Sequence, residues 1–268
     1  MEQAKKITGE VQINEAVIKD VQKEIKNIKN LKEKIEASLE KSTTEILEII
    51  LIGAITLEAS DIHIEPEEEK AKIRIRTDGM LQDALEINNK IYQGLVSRIK
   101  LLSKLKLNIS DQPQDGRFSI SLEKTAIEIR VSSLPAEFGE SIVMRILDPK
   151  SLIDVESLGL RKDLVETFNK EIKKPNGMII VTGPTGSGKT TTLYAILKKL
   201  NQPEVKIITI EDPIEYHLAG TSQTQVDPKK GYDFAKGLRS IMRQDPDVIL
   251  VGEVRDLETA NIALQAAL

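Results

Sequence analysis

The sequence predicts an α/β protein in which a parallel sheet covered by helices follows a smaller α+β domain. Three observations support this class. After about residue 158, short β-branched strands alternate with helices, a pattern typical of parallel sheets buried on both faces. Before that point, runs of alternating polarity around Asp78-Gly79 indicate an antiparallel sheet with a hairpin. At 268 residues, the chain is long enough for two domains with separate cores.

The first 44 residues are predicted to form an amphipathic helix or linker, because they contain neither proline nor an aromatic residue. Apolar side chains recur there near a heptad spacing, at Ile18, Val21, Ile25, Ile28, Ile35 and Leu39. Lysine and glutamate fill most other positions. This composition favours a long solvated helix that lies on its own protein over a coiled coil, which stays open as the alternative.

Residues 45–148 are predicted to form the small α+β domain. Ser42 and Glu45 have the spacing of a capping box, which starts an apolar helix that runs to Leu57. The later elements are the hairpin, a helix over about residues 90–105, and strands in "RFSISLE", "TAIEIRVSS" and residues 141–147. A hinge linker over residues 149–158 follows, and the segment Asp148-Pro149-Lys150 marks the boundary.

Residues 159–268 are predicted to form the domain with the parallel sheet. Its expected helices cover about residues 161–173, 189–200 and 232–243, and its expected strands are "GMIIVTG", "VKIITI" and "DVILVG". The sequence ends soon after entering another helix, with three strands in place. We therefore expect an incomplete sheet, and a fragment of a longer protein that hydrolyses nucleotide poorly without its missing end.

The composition restricts the classes of function. The formal net charge is −4, which disfavours general binding to nucleic acid, although a local basic patch stays possible. The chain has no cysteine, which excludes disulfides and thiolate metal sites and is compatible with the cytoplasm. Its most apolar window, residues 46–57, is too short to span a membrane and contains Glu48.

The segment "GPTGSGKTT", residues 183–191, matches the phosphate-binding loop G-x-x-x-x-G-K-[ST]. An apolar strand is predicted before it and a helix after it, which is the context that this motif requires. The predicted nucleotide-binding residues are Gly183, Pro184, Thr185, Gly186, Ser187, Gly188, Lys189, Thr190 and Thr191. The glycines let backbone N–H groups approach phosphates at the positive end of a helix.

Each polar side chain of the loop has an expected partner on a bound ATP. Lys189 is predicted to reach the β- and γ-phosphates, and the Thr190 hydroxyl is predicted to bind Mg²⁺. Thr191 lies where it can touch the α-phosphate. The sequence therefore predicts that ATP and Mg²⁺ bind here.

Acidic residues follow two of the predicted strands, at the sheet edge where parallel strands collect ligands. "IITIEDPIEY" places Glu211, Asp212 and Glu215 after one strand, and "DVILVGEVRD" places Glu253 after another. A single such residue is more often a helix cap or a solvated charge. Two acidic sites in one phosphate-loop sheet favour hydrolysis instead.

Taken together, these motifs resemble the secretion ATPase family of type II secretion systems and type IV pili. The resemblance covers most of residues 45–268 and includes "TIEDPIEY", "LRSIMRQDPDVILVGEVRDLETANIALQAAL", "ASDIHIEPEEEKAKIRIRTDGML" and "QPQDGRFSI". The upstream stretches are more similar to the extension and secretion branch than to the retraction branch. The resemblance implies a RecA-like P-loop domain preceded by a small PAS-like α+β domain.

The resemblance also implies roles for residues outside the loop. Glu215 matches the glutamate that orients the attacking water, and Glu253 matches the glutamate that helps to hold Mg²⁺ through water. Arg117 and Arg130 match arginines that approach the nucleotide phosphates. Two further arginines near the family's site match Arg239 and Arg243.

The family's proteins act as hexamers that drive an inner-membrane platform protein from the cytoplasmic side. The resemblance therefore implies a motor subunit that is peripheral to the inner membrane and has no transmembrane segment. Two alternatives stay open from the residues alone, a nucleic-acid translocase and a regulatory subunit that binds nucleotide without hydrolysis. The 3% aromatic content and the absence of tryptophan disfavour the translocase, because few rings are available for base stacking. His63 is expected to be a hydrogen-bonded structural residue.

Overall fold

The computed structural model describes residues 9–13, 15–122, 125–149, 152–184 and 187–268. The chain divides into two compact units, Met1–Asp148 and Pro149–Leu268, and each unit is described by itself. Within the described ranges, no helix combines the length and the apolar character needed to cross a membrane.

The first unit contains a seven-stranded sheet in the order β1-β5-β6-β7-β2-β3-β4. Its strands are β1 (Gly9–Gln12), β2 (Asp61–Pro66), β3 (Lys70–Thr77), β4 (Met80–Asn88), β5 (Gln114–Leu122), β6 (Thr125–Ala136) and β7 (Gly139–Leu147). Among the described strands of this sheet, β1 pairs with β5 in parallel and the other neighbouring pairs are antiparallel. The predicted β3/β4 hairpin is confirmed, because Asp78 and Gly79 both have positive φ (50° and 78°) as a two-residue hairpin turn requires.

Two short helices replace the single long helix that the sequence predicts near the N-terminus, so that prediction is wrong. They are α1 (Glu15–Glu24) and α2 (Ile28–Glu36), and Asn27 separates them by accepting a hydrogen bond from the Asn30 N–H, as a helix N-cap. The apolar stripe is nevertheless buried: Ile18, Val21, Ile25, Leu31 and Ile35 belong to the core of the first unit. The expectation that this segment lies on its own protein is confirmed.

The remaining helices of the first unit are α3 (Thr43–Thr56) and α4 (Asn89–Leu102), which pack against each other. The predicted capping box is present: the Ser42 hydroxyl accepts from the Glu45 N–H, and the Glu45 carboxylate accepts from the Ser42 N–H. Helix α3 is apolar around most of its surface because α1, α2 and α4 surround it.

A buried ion pair joins α4 to β7. Lys100 is 1% exposed and Glu140 is 7% exposed, and the Lys100 Nζ lies 2.8 and 2.9 Å from the two carboxylate oxygens of Glu140. Ser133 donates to the same carboxylate at 2.6 Å, and the Tyr92 hydroxyl accepts from the Glu140 N–H at 2.7 Å. The pair is therefore hydrogen-bonded as a buried charge pair requires.

The second unit contains a three-stranded parallel sheet in the order β10-β8-β9. Its strands are β8 (Ile207–Glu211), β9 (Ser222–Gln225) and β10 (Val248–Val251), and its helices are α5 (Lys162–Glu171), α6 (Lys189–Leu200), α7 (Phe234–Met242) and α8 (Leu257–Ala266). Leu197 of α6 packs with Ile207, whereas Ile241 of α7 packs with Ile208 and Ile210. Because successive strand residues face opposite sides, helices cover both faces of the sheet, as predicted.

The strand predicted at "GMIIVTG" does not form, so this part of the prediction is wrong. Residues 177–183 have no strand assignment, and Ile180 is 74% exposed. Strand β8 already has neighbours on both sides, and no strand in the described residues pairs with the other edge of β10. A strand needs partners for its backbone N–H and C=O groups, and residues 177–183 pair with no described strand, not even at this open edge of β10.

The residues predicted as a hinge linker contact α6. The Lys198 Nζ donates to the Leu152 carbonyl at 2.9 Å and lies 3.0 Å from the Asp154 carboxylate, and Lys199 pairs with Glu156. Val155 is fully buried. The part of the linker from Leu152 onward is therefore attached to the C-terminal end of the helix that follows the phosphate-binding motif.

Candidate functional site

The glycine-rich loop leads directly into α6. Gly188, the residue before the helix, has left-handed backbone angles (φ 85°, ψ 15°), which only glycine adopts at little cost. Gly183 is also at positive φ (156°), and a Cβ there would lie 2.6 Å from the Ser187 hydroxyl oxygen. The motif thus uses glycine where the backbone conformation needs it. Thr185 and Gly186, two of the predicted binding residues, lie outside the described residues.

Lys189 is the first residue of α6, and its side chain turns back over the loop. The Lys189 Nζ donates to the carbonyl oxygens of Gly183 at 2.8 Å and Pro184 at 2.7 Å. Thr190 and Thr191 follow in the first turn, where helical N–H groups have no partner within the helix. These N–H groups and the ammonium group together form a positive region that suits phosphate oxygens.

The ends of β8 and β10 bring the acidic residues to the same edge of the sheet. The two strands are parallel neighbours, with Ile210 opposite Val251, so the residues after them emerge side by side. A pocket at this edge is lined by Thr190 of α6, Glu215 after β8 and Glu253 after β10. The structure therefore brings together three of the predicted site residues from three separate segments.

The acidic residues at this edge differ in their surroundings. Glu215 and Glu253 are partly buried, and Arg255 Nε lies 2.9 Å from a carboxylate oxygen of Glu253. Asp212 is exposed, whereas Glu211 is only 4% exposed. Thr190 also lines the pocket from the first turn of α6, where a hydroxyl can face a phosphate-bound cation.

Sequence reasoning missed a hydrogen-bonded group around Glu211. The Tyr194 hydroxyl donates to Glu211 Oε2 at 2.6 Å, and Thr209 donates to Oε1 at 2.5 Å. The Gln223 amide donates to the same Oε1 at 3.3 Å and to the Tyr216 carbonyl at 2.9 Å. A tyrosine on an otherwise apolar helix face was the available signal, because a buried hydroxyl needs a partner.

Arg239 and Arg243 lie on α7 or directly after it and are exposed. Arg239 pairs with Glu258, and Arg243 donates to the Arg239 carbonyl at 2.9 Å. Within the described residues, neither arginine lines the pocket that contains Thr190 and Glu253. The structure therefore does not bring these two predicted residues to that pocket.

Arg117 and Arg130 lie in the first unit, directly opposite each other on β5 and β6. Both approach the Glu128 carboxylate, at 3.7 Å from Arg117 and 3.8 Å from Arg130. Their side chains are 38% and 22% exposed. The sheet therefore holds the two guanidinium groups next to one another, beside a carboxylate.

His63 lies on β2, and its Nδ1 is 3.7 Å from a Glu65 carboxylate oxygen. Its Nε2 is buried and has no hydrogen-bond partner. The expectation of a hydrogen-bonded structural histidine is therefore wrong for this nitrogen. Burial lowers the pKa of His63, against the opposing effect of Glu65 and Asp61.

A glycine loop before a helix, beside a parallel sheet with acidic strand ends, defines a P-loop protein of the α/β class. The family described as "Type II/IV secretion system protein" matches residues 35–268. The chain belongs to this family.

Curated relatives are similar over most of this chain. Type II secretion system protein E of Xanthomonas campestris pv. campestris is 48% identical over 224 residues, which are 83% of this chain and 40% of the relative. Type II secretion system ATPase E of Vibrio cholerae serotype O1 is 49% identical over 225 residues, 84% of this chain and 45% of the relative. The chain thus spans less than half the length of these relatives.

Solved structures are similar in fold. The ATPase DotB of Legionella pneumophila has a TM-score of 0.65 and 26% identity, covering 85% of this chain and 63% of that protein. The pilus retraction motor PilT, solved with bound ADP, has a TM-score of 0.58 and 32% identity, covering 85% of this chain and 64% of that protein. These neighbours support the expected RecA-like fold class.

Proposed function

We propose that this chain is the ATP-binding and ATP-hydrolysing part of a motor subunit that powers type II secretion or pilus assembly. The observation that carries the proposal is the pocket in which Thr190, Glu215 and Glu253 meet beside the phosphate-binding motif. The relatives' names support it, since one is a secretion ATPase and a structural neighbour is a pilus motor with bound ADP.

Lys189 and the start of α6 would bind the phosphates. The Lys189 ammonium group donates hydrogen bonds to the carbonyl oxygens of Gly183 and Pro184. When ATP binds, phosphate oxygens would replace these carbonyl oxygens as acceptors, because charged acceptors form stronger hydrogen bonds. The backbone N–H groups of Thr190 and Thr191 lie in the first turn of α6, at the positive end of the helix. The left-handed Gly188 lets the loop turn close to the phosphates.

Thr190 and Glu253 are the proposed Mg²⁺ residues, Thr190 by its hydroxyl and Glu253 through water. In the described parts of the chain, no three acidic or histidine side chains form a metal site by themselves. That fits Mg²⁺, which usually binds one or two protein groups together with substrate phosphates. When bound, the cation would neutralise charge that develops on the phosphates.

Glu215 is the proposed residue that orients the attacking water. It lines the same pocket as Thr190, and Pro213, two positions before it, also lines this pocket. A carboxylate at this position can accept a hydrogen bond from water and align it for attack in line with the leaving oxygen.

Arg117 and Arg130 are proposed to neutralise the γ-phosphate charge when the small domain closes on the ATPase domain about a hinge in residues 149–158. Their support is the cross-strand pairing that holds two guanidinium groups together. An arginine pair stabilises the charge that spreads over phosphate oxygens in the transition state. Arg239 and Arg243 are proposed to help bind the nucleotide, by adding positive charge near its phosphates.

We propose that the whole protein acts as a homohexamer in the cytoplasm, peripheral to the inner membrane, where it drives a platform protein. Support comes from the family and from relatives that carry type II secretion names. Direct nucleic-acid binding is not part of the proposal, given the net charge of −4.

Phosphate release by the intact protein tests the proposed hydrolysis. We expect Glu215→Gln to lower kcat about 100-fold or more while ATP still binds, because it removes a group that orients the water. Lys189→Ala should abolish ATP binding. The matched controls, Glu204→Gln and Lys229→Ala, change exposed residues outside the pocket and should keep wild-type rates. ATP binding without phosphate release by the wild type would refute the proposed hydrolysis.

A further inference from the structure

The end of β8 and the loop after it carry three carboxylates, Glu211, Asp212 and Glu215, which differ in burial. Glu211 is 4% exposed, and donors occupy both of its oxygens: Tyr194 at Oε2, and Thr209 with Gln223 at Oε1. A carboxylate that accepts three such hydrogen bonds has little capacity left for a cation or a water molecule. All three carboxylates line the pocket, but Glu215 is only partly buried, whereas Glu211 is almost completely enclosed.

A single hydroxyl group holds both ends of this loop. The Tyr194 hydroxyl donates to Glu211, where the loop begins, at 2.6 Å. The same oxygen accepts from the Tyr216 N–H, directly after Glu215, at 3.2 Å. The rings of Tyr194 and Tyr216 also pack edge to face with centroids 5.3 Å apart. Glu215 therefore lies in a short loop whose two ends are attached to one side chain.

That side chain belongs to the helix that follows the phosphate-binding motif. Tyr194 lies five positions after Lys189 in α6, which is about 7.5 Å along a helix axis. Because a helix is rigid over that length, Tyr194 keeps a fixed distance from Lys189 and Thr190. Its hydroxyl therefore fixes the position of the loop that carries Glu215 relative to these two residues. Burial, and next the hydrogen bond to Glu211, raise the pKa of Tyr194 above its usual value, so the phenol stays a donor.

We propose that Tyr194 is a positioning residue for ATP hydrolysis: its hydroxyl holds Glu211 and the Tyr216 backbone so that Glu215 faces the pocket. Glu211 is then an anchor of the loop, and it neither binds the cation nor orients the water. This inference rests on the function proposed above.

Tyr194→Phe in the intact protein is the first test, since it removes the hydroxyl and keeps the ring. We expect kcat to fall between about 10-fold and 100-fold, as small misplacements of reacting groups do, with an unchanged ATP dissociation constant. The matched control is Tyr232→Phe in the same unit, whose hydroxyl is 3.1 Å from the Thr224 hydroxyl and which does not line the pocket. Its kcat should equal that of the wild type. Wild-type kcat in Tyr194→Phe would overturn the proposal.

Glu211→Gln is the second test, because the amide keeps the size and an acceptor oxygen. We expect its kcat to stay within about 10-fold of the wild type, with the same dependence on Mg²⁺ concentration, whereas Glu215→Gln loses about 100-fold or more. A loss in Glu211→Gln as large as that in Glu215→Gln would give Glu211 a chemical role and overturn the anchor.

Hydrogen exchange of the Tyr216 amide separates this inference from the proposed function. Its N–H donates to the Tyr194 hydroxyl, so Tyr194→Phe should accelerate its exchange even if the wild type hydrolyses no ATP. Unchanged exchange would overturn the anchor whatever the activity. If Tyr194→Phe accelerates exchange but the wild type hydrolyses no ATP, the proposed function and the positioning role of Tyr194 in hydrolysis are refuted, while the loop anchor stands.

Discussion

The buried pair of Lys100 and Glu140 gives the sharpest prediction about stability. Lys100→Met replaces the lysine by a side chain that fills the same space but carries no charge. It leaves the Glu140 carboxylate, 7% exposed, with Ser133 as a remaining donor at 2.6 Å. The Ile109 carbonyl, which Lys100 also contacts at 2.6 Å, keeps its hydrogen bond from the Gln114 amide at 2.8 Å.

The expected loss follows from this remaining imbalance. Removing one partner of a buried ion pair costs about 3–5 kcal/mol, because the other charge stays buried without compensation. Ser133 offsets part of that cost, so we expect a loss of about 3 kcal/mol in the free energy of unfolding of the first unit. The double variant Lys100→Met/Glu140→Gln has no buried charge at this place and should recover most of the loss.

Hydrogen exchange of the β6 and β7 amides in the intact protein measures this free energy locally. The matched control is Lys70→Met, which removes a lysine whose Nζ lies 2.6 Å from Glu86 in an exposed pair, 42% and 53% accessible. It should change the free energy by only about 0–1 kcal/mol. A Lys100→Met loss as small as that of the control would refute the reasoning that burial, rather than distance, sets the cost.

Three further predictions concern single positions. Ser42→Ala should destabilise the first unit by about 1 kcal/mol in urea unfolding, because it removes the N-cap of α3; Ser97→Ala, at an exposed position inside α4 of the same unit, should not. Gly188→Ala and Gly159→Ala, both at positive φ with open space around a Cβ, should each cost about 1–2 kcal/mol, but only Gly188→Ala should weaken ATP binding. Burial lowers the pKa of His63, so its stabilising contribution is full above the unfolded pKa and is lost as the pH falls through the folded value. His63→Phe should therefore lose less stability than the wild type between about pH 7.5 and pH 5.5.

Local signals in the sequence predicted several elements well. The helix after the phosphate motif, α6, has the predicted bounds because the motif fixes its start and Asn201 follows its end. The capping box of α3 and the Asp78-Gly79 turn were also identified, since each depends on residues within four positions of one another.

Features that depend on distant residues could not be predicted in this way. Strand β9 has the polar sequence "SQTQ" and forms by pairing with β8. Because it contains no apolar residue, hydrophobic periodicity could not predict it. The apolar run at residues 177–183 was predicted to be a strand but forms none. Apolar composition indicates burial, but it does not show whether a neighbouring strand is in place to pair with. The ion pair of Lys100 and Glu140 joins residues 40 positions apart and has no local signal.

The candidate site lies between these two cases. The rule that parallel strands collect ligands at their carboxyl ends identified Glu211, Asp212 and Glu215 as a group, but it could not rank them. What distinguishes them depends on side chains from other elements, above all on Tyr194, whose hydroxyl donates to Glu211, the most deeply buried of the three. A tyrosine on the buried face of a helix must place its hydroxyl against a polar partner. In this chain that partner is Glu211, the carboxylate that ends β8, and this contact is the basis for proposing Glu211 as the anchor of the loop and Glu215 as the residue that orients the water.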